Sequence, residues 1–232
     1  MLLYQPENGY SFNSDSIFLY GFILSLKLSG KVLDVGAGCG ILGLLCARDF
    51  PHINLVGVEK QSIYVEYARK NASINEIDYD IRELDFFDLD GHGSYDWIIS
   101  NPPFYREGAA RSNDPALHQA RYNVHMPIDR FATKISKLLR SRGEVALCYD
   151  ASQAGLLLHA LESVGLRALK VQFVHSKAHK EAHLVLIHAK KGSSSLMKIE
   201  PPMITYDIDG IYSPLIQKIY DRAKAHSIKC QI

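Results

Sequence analysis

The sequence predicts an α/β fold: a doubly wound, mostly parallel sheet with an antiparallel strand pair towards the C-terminus. Two observations carry this. Short apolar runs alternate with helical stretches of roughly 10–15 residues through the middle of the chain, a pattern that builds parallel sheets. Near the end, two strand-like runs follow one another with no room for a helix between them, which favours antiparallel pairing.

Q-P-E-N-G-Y-S-F-N-S-D-S-I-F-L (5–19) opens the chain. Asn13 or Ser14 can cap a helix there, and Asp15 in its first turn suits the positive helix N-terminus. K-V-L-D-V (31–35) is an apolar strand ending in glycines, followed by a helix on which Ile41, Leu42, Leu44, Leu45 and Ala47 form a broad apolar surface. I-N-L-V-G-V-E (53–59) is a strand, a helix runs from about Ser62 to Asn75, and a strand lies near Ile81 to Leu84. Y-D-W-I-I-S (95–100) is another strand. Pro127 to Leu139 reads as a helix with proline at its first position, closed by Arg142-Gly143, before the strand G-E-V-A-L-C-Y (143–149). L-K-V-Q-F-V (169–174) and H-L-V-L-I-H-A (183–189) are the antiparallel pair. K-K-G-S-S-S (190–195) is a flexible loop, and Pro201-Pro202 and a short amphipathic tail follow. No repeat or linker divides the chain, so one domain is expected over 1–232: an N-terminal segment 1–29, a core 30–192 and a C-terminal tail 193–232.

Hydrophobic residues make up 47% of the 232, enough for a sizeable core. The longest apolar stretch, Ile17 to Leu26, is broken by Gly21 and Ser25; a membrane-spanning helix needs ~20 apolar residues, so no membrane association is expected. The N-terminus lacks the basic and apolar regions of a signal peptide. Cys39, Cys46, Cys148 and Cys230 are scattered, with no C-x-x-C, which argues against a metal or a disulfide scaffold. A cytoplasmic protein is the expectation. Charge is uneven: residues 1–90 carry 7 Lys/Arg against 13 Asp/Glu, whereas residues 170–232 carry 10 against 5. A basic C-terminal part can face a polyanion, and chance asymmetry on a solvated surface is the plain alternative.

D-V-G-A-G-C-G (34–40) lies between the first strand of the series and its helix. Gly36, Gly38 and Gly40 let the backbone approach a ligand, with amides at a helix N-terminus. The frame Gly38-x-Gly40-x-x-Gly43 fits the dinucleotide fingerprint, a weak signal alone. Glu59 ends the next strand and suits a ribose, in nicotinamide and S-adenosylmethionine sites alike. Asp34 shifts the balance, because a carboxylate there opposes dinucleotide phosphates but suits the amino-bearing methionine end of S-adenosylmethionine. Asp85 and Phe86 can hold an adenine, by accepting from its amino group and packing on its face; otherwise Asp85 caps a turn and Phe86 is core.

Asn101-Pro102-Pro103-Phe104 follows the strand 95–100. Proline fixes φ and biases its predecessor towards extended geometry, so this is a stiff hook at the edge where ligands gather. An exocyclic amino nitrogen is a poor nucleophile because its lone pair is delocalised into the ring. Asn101 Oδ1 and the Pro102 carbonyl, aimed at its two hydrogens, favour a pyramidal nitrogen, and Phe104 can stack on the base. Between the hook and the next helix, residues 105–126 are long enough for a binding loop or a plain surface loop. Arg106, Arg111 and Arg121 offer phosphate contacts, and Tyr105 or Tyr122 a stacking surface. Lys177, Lys180, Lys190 and Lys191 suit a backbone-contacting or a merely solvated face.

D-V-G-A-G-C-G, Glu59, Asp85 and N-P-P-F, in this order, resemble class I, Rossmann-type methyltransferases that modify amino groups. Three further stretches, 5–19, H-S-K-A-H-K-E-A-H-L-V-L-I-H-A-K-K-G (175–192) and P-P-M-I-T-Y-D-I-D-G-I-Y-S (201–213), are similar to the bacterial family that methylates N6 of adenosine 37 in valine tRNA. The resemblance implies S-adenosyl-L-methionine as cofactor and an RNA substrate, a tRNA above all, with no stable protein partner. It implies that the N-terminal segment closes over the methionine moiety, with Phe12, Asn13 and Asp15 near it. Rival acceptors are guanine N2 in ribosomal RNA and a glutamine side chain in a protein, both compatible with the hook. A non-catalytic RNA-binding factor on the same fold is a third class.

Overall fold

The computed structural model describes residues 1–7, 12–102 and 127–231. In chain order the strands are β1 (Leu2–Gln5), β2 (Gly30–Val35), β3 (Ile53–Glu59), β4 (Tyr79–Glu83), β5 (Tyr95–Ser100), β6 (Leu139–Asp150), β7 (Leu166–His175), β8 (Ala182–Lys191), β9 (Lys198–Ile199), β10 (Met203–Ile204) and β11 (His226–Lys229). The helices are α1 (Ser14–Ile23), α2 (Ile41–Asp49), α3 (Ser62–Ile74), α4 (Ile128–Leu138), α5 (Ala154–Ser163) and α6 (Pro214–Ala223).

Nine strands form one sheet in the order β10-β7-β8-β6-β5-β2-β3-β4, with β9 also paired to β7. Pairing is parallel except where β8 lies antiparallel between β6 and β7. The expected antiparallel pair is therefore present, inserted at one side of a parallel sheet. From β2 the chain winds outward through β3 and β4, then returns to place β5 and β6 on the other flank of β2. The reversal between β2 and β5 opens a crevice at the carboxyl edge of the sheet.

Successive strand residues face opposite sides of a sheet. Val32, Leu55, Ile99 and Cys148 pack with α1, α2, α3 and α6 on one face, while Leu33, Val56, Ile98 and Leu147 pack with α4 and α5 on the other. Burial on both faces explains why these strands read as continuous apolar runs. β6 begins at Leu139, earlier than the glycine at 143 suggests; Arg142 takes a positive φ of 62°, and the β5–β6 register shifts between Tyr95 and Trp97, an irregularity that lets the strand continue past it.

A second, two-stranded sheet joins the two ends of the chain: β1 runs parallel to β11, with Leu2 opposite His226 and Gln5 opposite Lys229. Among the described residues, no helix is long and apolar enough to cross a membrane, and no group of His, Cys, Asp and Glu is arranged to hold a metal ion.

Candidate active site

Val35 at the end of β2 lies opposite Ser100 at the end of β5, and the Ser100 hydroxyl donates to the Val35 carbonyl at 2.8 Å. One residue further on, Gly36 and Asn101 therefore leave adjacent parallel strands side by side, at the switch point. The sheet brings the glycine loop and the proline hook together although 65 residues of sequence separate them.

Gly36, Gly38 and Gly40 all have positive φ, at 70°, 54° and 86°, a region that side chains other than glycine enter at a cost. A Cβ on Gly36 or Gly38 would meet nothing within 4 Å, so the loop borders open space there, with its backbone exposed to whatever fills the crevice. Glu59, at the end of β3, faces this loop. Its Oε2 accepts from the Gly38 amide at 3.1 Å and its Oε1 from the Gln61 amide at 3.0 Å. These bonds fix the carboxylate and leave lone pairs on both oxygens, as a ribose diol requires.

Asp34 has a different first task from the one expected of it. It is almost fully buried, and its Oδ2 accepts from the Gly43 amide at 3.0 Å and from the Tyr79 hydroxyl at 2.8 Å. The carboxylate thus clamps α2 and β4 onto β2. A Cβ on Gly43 would stand 2.7 Å from that oxygen, so glycine at 43 is what permits the approach. Burial pushes the Asp34 carboxyl up to about 6, against the pull of its two donors, and the neighbouring Glu59 charge adds to the rise. Two carboxylates beside one loop make it hospitable to a cationic ligand and poor for phosphates. Asn13 is likewise a structural residue in the first instance: it caps α1, its Oδ1 accepting from the Asp15 amide at 3.2 Å, and its Nδ2 donates to Asp15 Oδ2 at 2.7 Å.

The hook begins with Asn101, half-buried, whose Nδ2 lies 3.0 Å from the Ser16 hydroxyl on α1. With the amide nitrogen engaged, the oxygen is the atom left to accept from a substrate. Ser16 is buried and was not among the sequence-derived candidates; its signal is the S-D-S-I run, where it follows Asp15 on the inner side of α1. Pro102 is buried. Pro103, Phe104, Arg111 and Arg121, and the loop 105–126 as a whole, lie outside the described residues.

Two candidates lie beyond β4. Phe86 is a core residue, tilted against Phe87 with ring centroids 5.4 Å apart and edge-on to Phe131 at 5.6 Å, which is the structural alternative for this ring. Asp85 is exposed and caps the turn that follows, its Oδ1 accepting from the Phe87 amide at 2.9 Å. Of the basic candidates, Lys180 lies in the loop between β7 and β8, at the carboxyl edge. Lys190 and Lys191 lie at the opposite edge and are committed: Lys190 to Glu144 at 2.6 Å, and Lys191 to the carbonyls of Ser136 and Leu139. They are excluded from any surface around the crevice.

Residues 18–155 match the family model of the methyltransferase small domain. A Porphyromonas gingivalis protein named tRNA1(Val) (adenine(37)-N6)-methyltransferase is 26% identical over 191 residues, covering 78% of this chain and 74% of that one. The ribosomal RNA small subunit methyltransferase C of Haemophilus influenzae is 33% identical over 101 residues, covering 43% of this chain and 30% of that one. Among solved structures, a predicted O-methyltransferase of Agrobacterium tumefaciens superposes with a TM-score of 0.70 at 16% identity, covering 93% of this chain and all of that one.

Proposed function

The chain belongs to the methyltransferase small domain family, and on that premise we propose that it uses S-adenosyl-L-methionine to methylate N6 of an adenine in RNA, adenosine 37 of a tRNA. The observation that carries this reading is the placement of Asn101: beside Gly36 at the switch point, with its amide nitrogen held by Ser16. The relatives that align over most of the chain bear the name of that reaction on valine tRNA.

When bound, S-adenosylmethionine supplies a methyl group on a sulfonium, which carries its own driving force. What remains for the chain is positioning. The Gly36–Gly40 turn gives the cofactor backbone amides at close range, and Glu59 accepts from the ribose hydroxyls with its remaining lone pairs. Asp34 and Glu59 favour the cationic amine and sulfonium by charge. Asn101 Oδ1 and the Pro102 carbonyl accept from the two hydrogens of the exocyclic amine, which makes the nitrogen pyramidal and takes its lone pair out of conjugation with the ring, and Phe104 would hold the base by stacking. Once the nitrogen has gained the methyl group it is acidic and loses a proton to water, so no strong base is required. Positioning supplies the rate.

Amino methylation of a ribosomal RNA base is a second reading, favoured by the 33% identity to the small-subunit enzyme over 101 residues; the short span of that match ranks it below the first. Incubating the protein with S-adenosylmethionine and an unmodified valine tRNA transcript, followed by nucleoside mass spectrometry, separates them. N6-methyladenosine is the expected product. A methylated guanine, or methylation only when ribosomal RNA is supplied, would overturn the first reading.

A further inference from the structure

The strand directions place a surface beside the crevice that the reaction described above does not use. β6 and β7 both run towards the carboxyl edge, with β8 returning between them. The β7–β8 loop, residues 176–181, therefore emerges at the same edge as Asn101. β10 runs parallel to β7, with Ile204 opposite His175, so the segment after it, 205–213, emerges there too.

These two loops are tied together. The Tyr206 amide donates to the Ser176 carbonyl at 2.9 Å, and Lys177 Nζ to the Ile208 carbonyl at 3.2 Å. His175 Nδ1 donates to the Lys180 carbonyl at 2.7 Å. Segment 205–213 is also pinned from within: Asp207 Oδ1 accepts from the Asp209 and Ile211 amides at 3.0 and 2.9 Å, and the Ser213 amide donates to the Thr205 carbonyl at 3.0 Å.

On this rigid support stand three tyrosines in a column. Tyr206 stacks on Tyr212 with centroids 5.2 Å apart and planes 13° from parallel, and Tyr212 stacks on Tyr220 at 5.0 Å and 18°. Tyr220, on α6, packs against the apolar core that this helix shares with α1, the helix that carries the Ser16 holding Asn101. The column thus runs from the entry helix outwards. Tyr206 and Tyr212 remain 36% and 37% exposed, and Ile208 and Ile211 beside them 87% and 65%. A preordered aromatic column with a partly exposed outer ring offers aromatic surface at little entropic cost on binding.

We propose that the outer end of this column, Tyr206, stacks an unpaired nucleobase of the RNA substrate near the methylated adenine, while Lys180 meets the adjoining phosphates. This rests on the RNA reading above. RNA is favoured over a protein partner by the stacked, pre-ordered rings and by Lys180, exposed in the adjoining loop at the same edge. Asp207, the acidic residue closest in sequence, has one oxygen turned into its own turn.

The test uses the full chain, an unmodified valine tRNA transcript as probe, and binding measured against salt concentration. Tyr206→Ala should weaken RNA binding about tenfold, the size of one lost base stack, with the salt slope and S-adenosylmethionine affinity unchanged; Tyr206→Phe should bind as the parent does. Lys180→Ala should flatten the salt slope by about one phosphate contact. Unchanged cofactor affinity in Tyr206→Ala shows that the variant is folded. RNA affinity unaltered in Tyr206→Ala, while the parent protein binds and methylates the transcript, would overturn the platform and leave the reaction standing. Failure of the parent protein to bind the transcript would overturn both.

Discussion

Asp34 holds its place at a cost that its chemistry makes measurable. Its folded pKa, about 6, lies above the ordinary 3.8 because the group is buried. The folded protein therefore binds this proton more tightly than the unfolded chain. The stability due to this group is complete below about pH 3.8 and is lost as the pH rises through about 6. Two pKa units correspond to about 3 kcal/mol. Asp34→Asn keeps an acceptor for Gly43 and Tyr79 without the buried charge. Urea unfolding of the cofactor-free protein should show the variant matching or exceeding the parent at pH 7.5, with its advantage shrinking towards pH 5, while its S-adenosylmethionine affinity falls tenfold or more. A variant less stable than the parent at pH 7.5 would contradict the charge account. Ser16 gives the second residue-scale expectation. Because its hydroxyl holds the amide nitrogen of Asn101, Ser16→Ala should lower kcat about tenfold and leave KM for RNA and cofactor affinity nearly unchanged. A loss confined to KM would remove Ser16 from the positioning of the hook.

Elements hold the glycine loop from behind. Asn71 on α3 is fully buried; its Oδ1 accepts from the Tyr4 amide at 2.7 Å, and its Nδ2 donates to the Tyr4 and Cys39 carbonyls at 3.0 and 2.9 Å. One side chain thus ties β1, α3 and the glycine loop together. Asn71→Ala would leave three backbone groups without partners, at ~1–3 kcal/mol each where no water replaces them, and should destabilise the protein by about 3 kcal/mol in urea unfolding. A loss below ~1 kcal/mol would mean that β1 is not held through this residue. None of this is legible in the sequence. β1 and β11 are four residues each and pair across more than 200 positions, so neither offers a local period or turn signal. α5 also went unread, because Leu156 is exposed while Leu157 beside it is buried, and a run of three leucines conceals which face is inward. By contrast β3 and β5 are legible to the residue, since each holds a mainly apolar stretch, residues 55–58 and 97–99, bounded by polar or charged residues.

At the scale of the whole molecule, the parallel sheet is what converts two distant motifs into one site. The glycines were legible because positive φ demands them, and Asn101 because two prolines are costly in an ordinary turn. Their adjacency followed from the fold class alone. The use to which Asp34 is put is not legible, because a strand-end acid reads the same whether it faces a ligand or the protein, whereas the helix cap at Asn13 and a core place for Phe86 are. The measurement that bears most directly on the account is single-turnover methyl transfer to a valine tRNA transcript by Asn101→Ala, with calorimetry of S-adenosylmethionine binding on the same preparation. On the proposed reading Asn101 meets the acceptor amine and not the cofactor, so cofactor affinity should be preserved while methyl transfer falls at least ~100-fold, about 2.7 kcal/mol of barrier. Near-normal transfer, or a loss explained by failure to bind the cofactor, would contradict it.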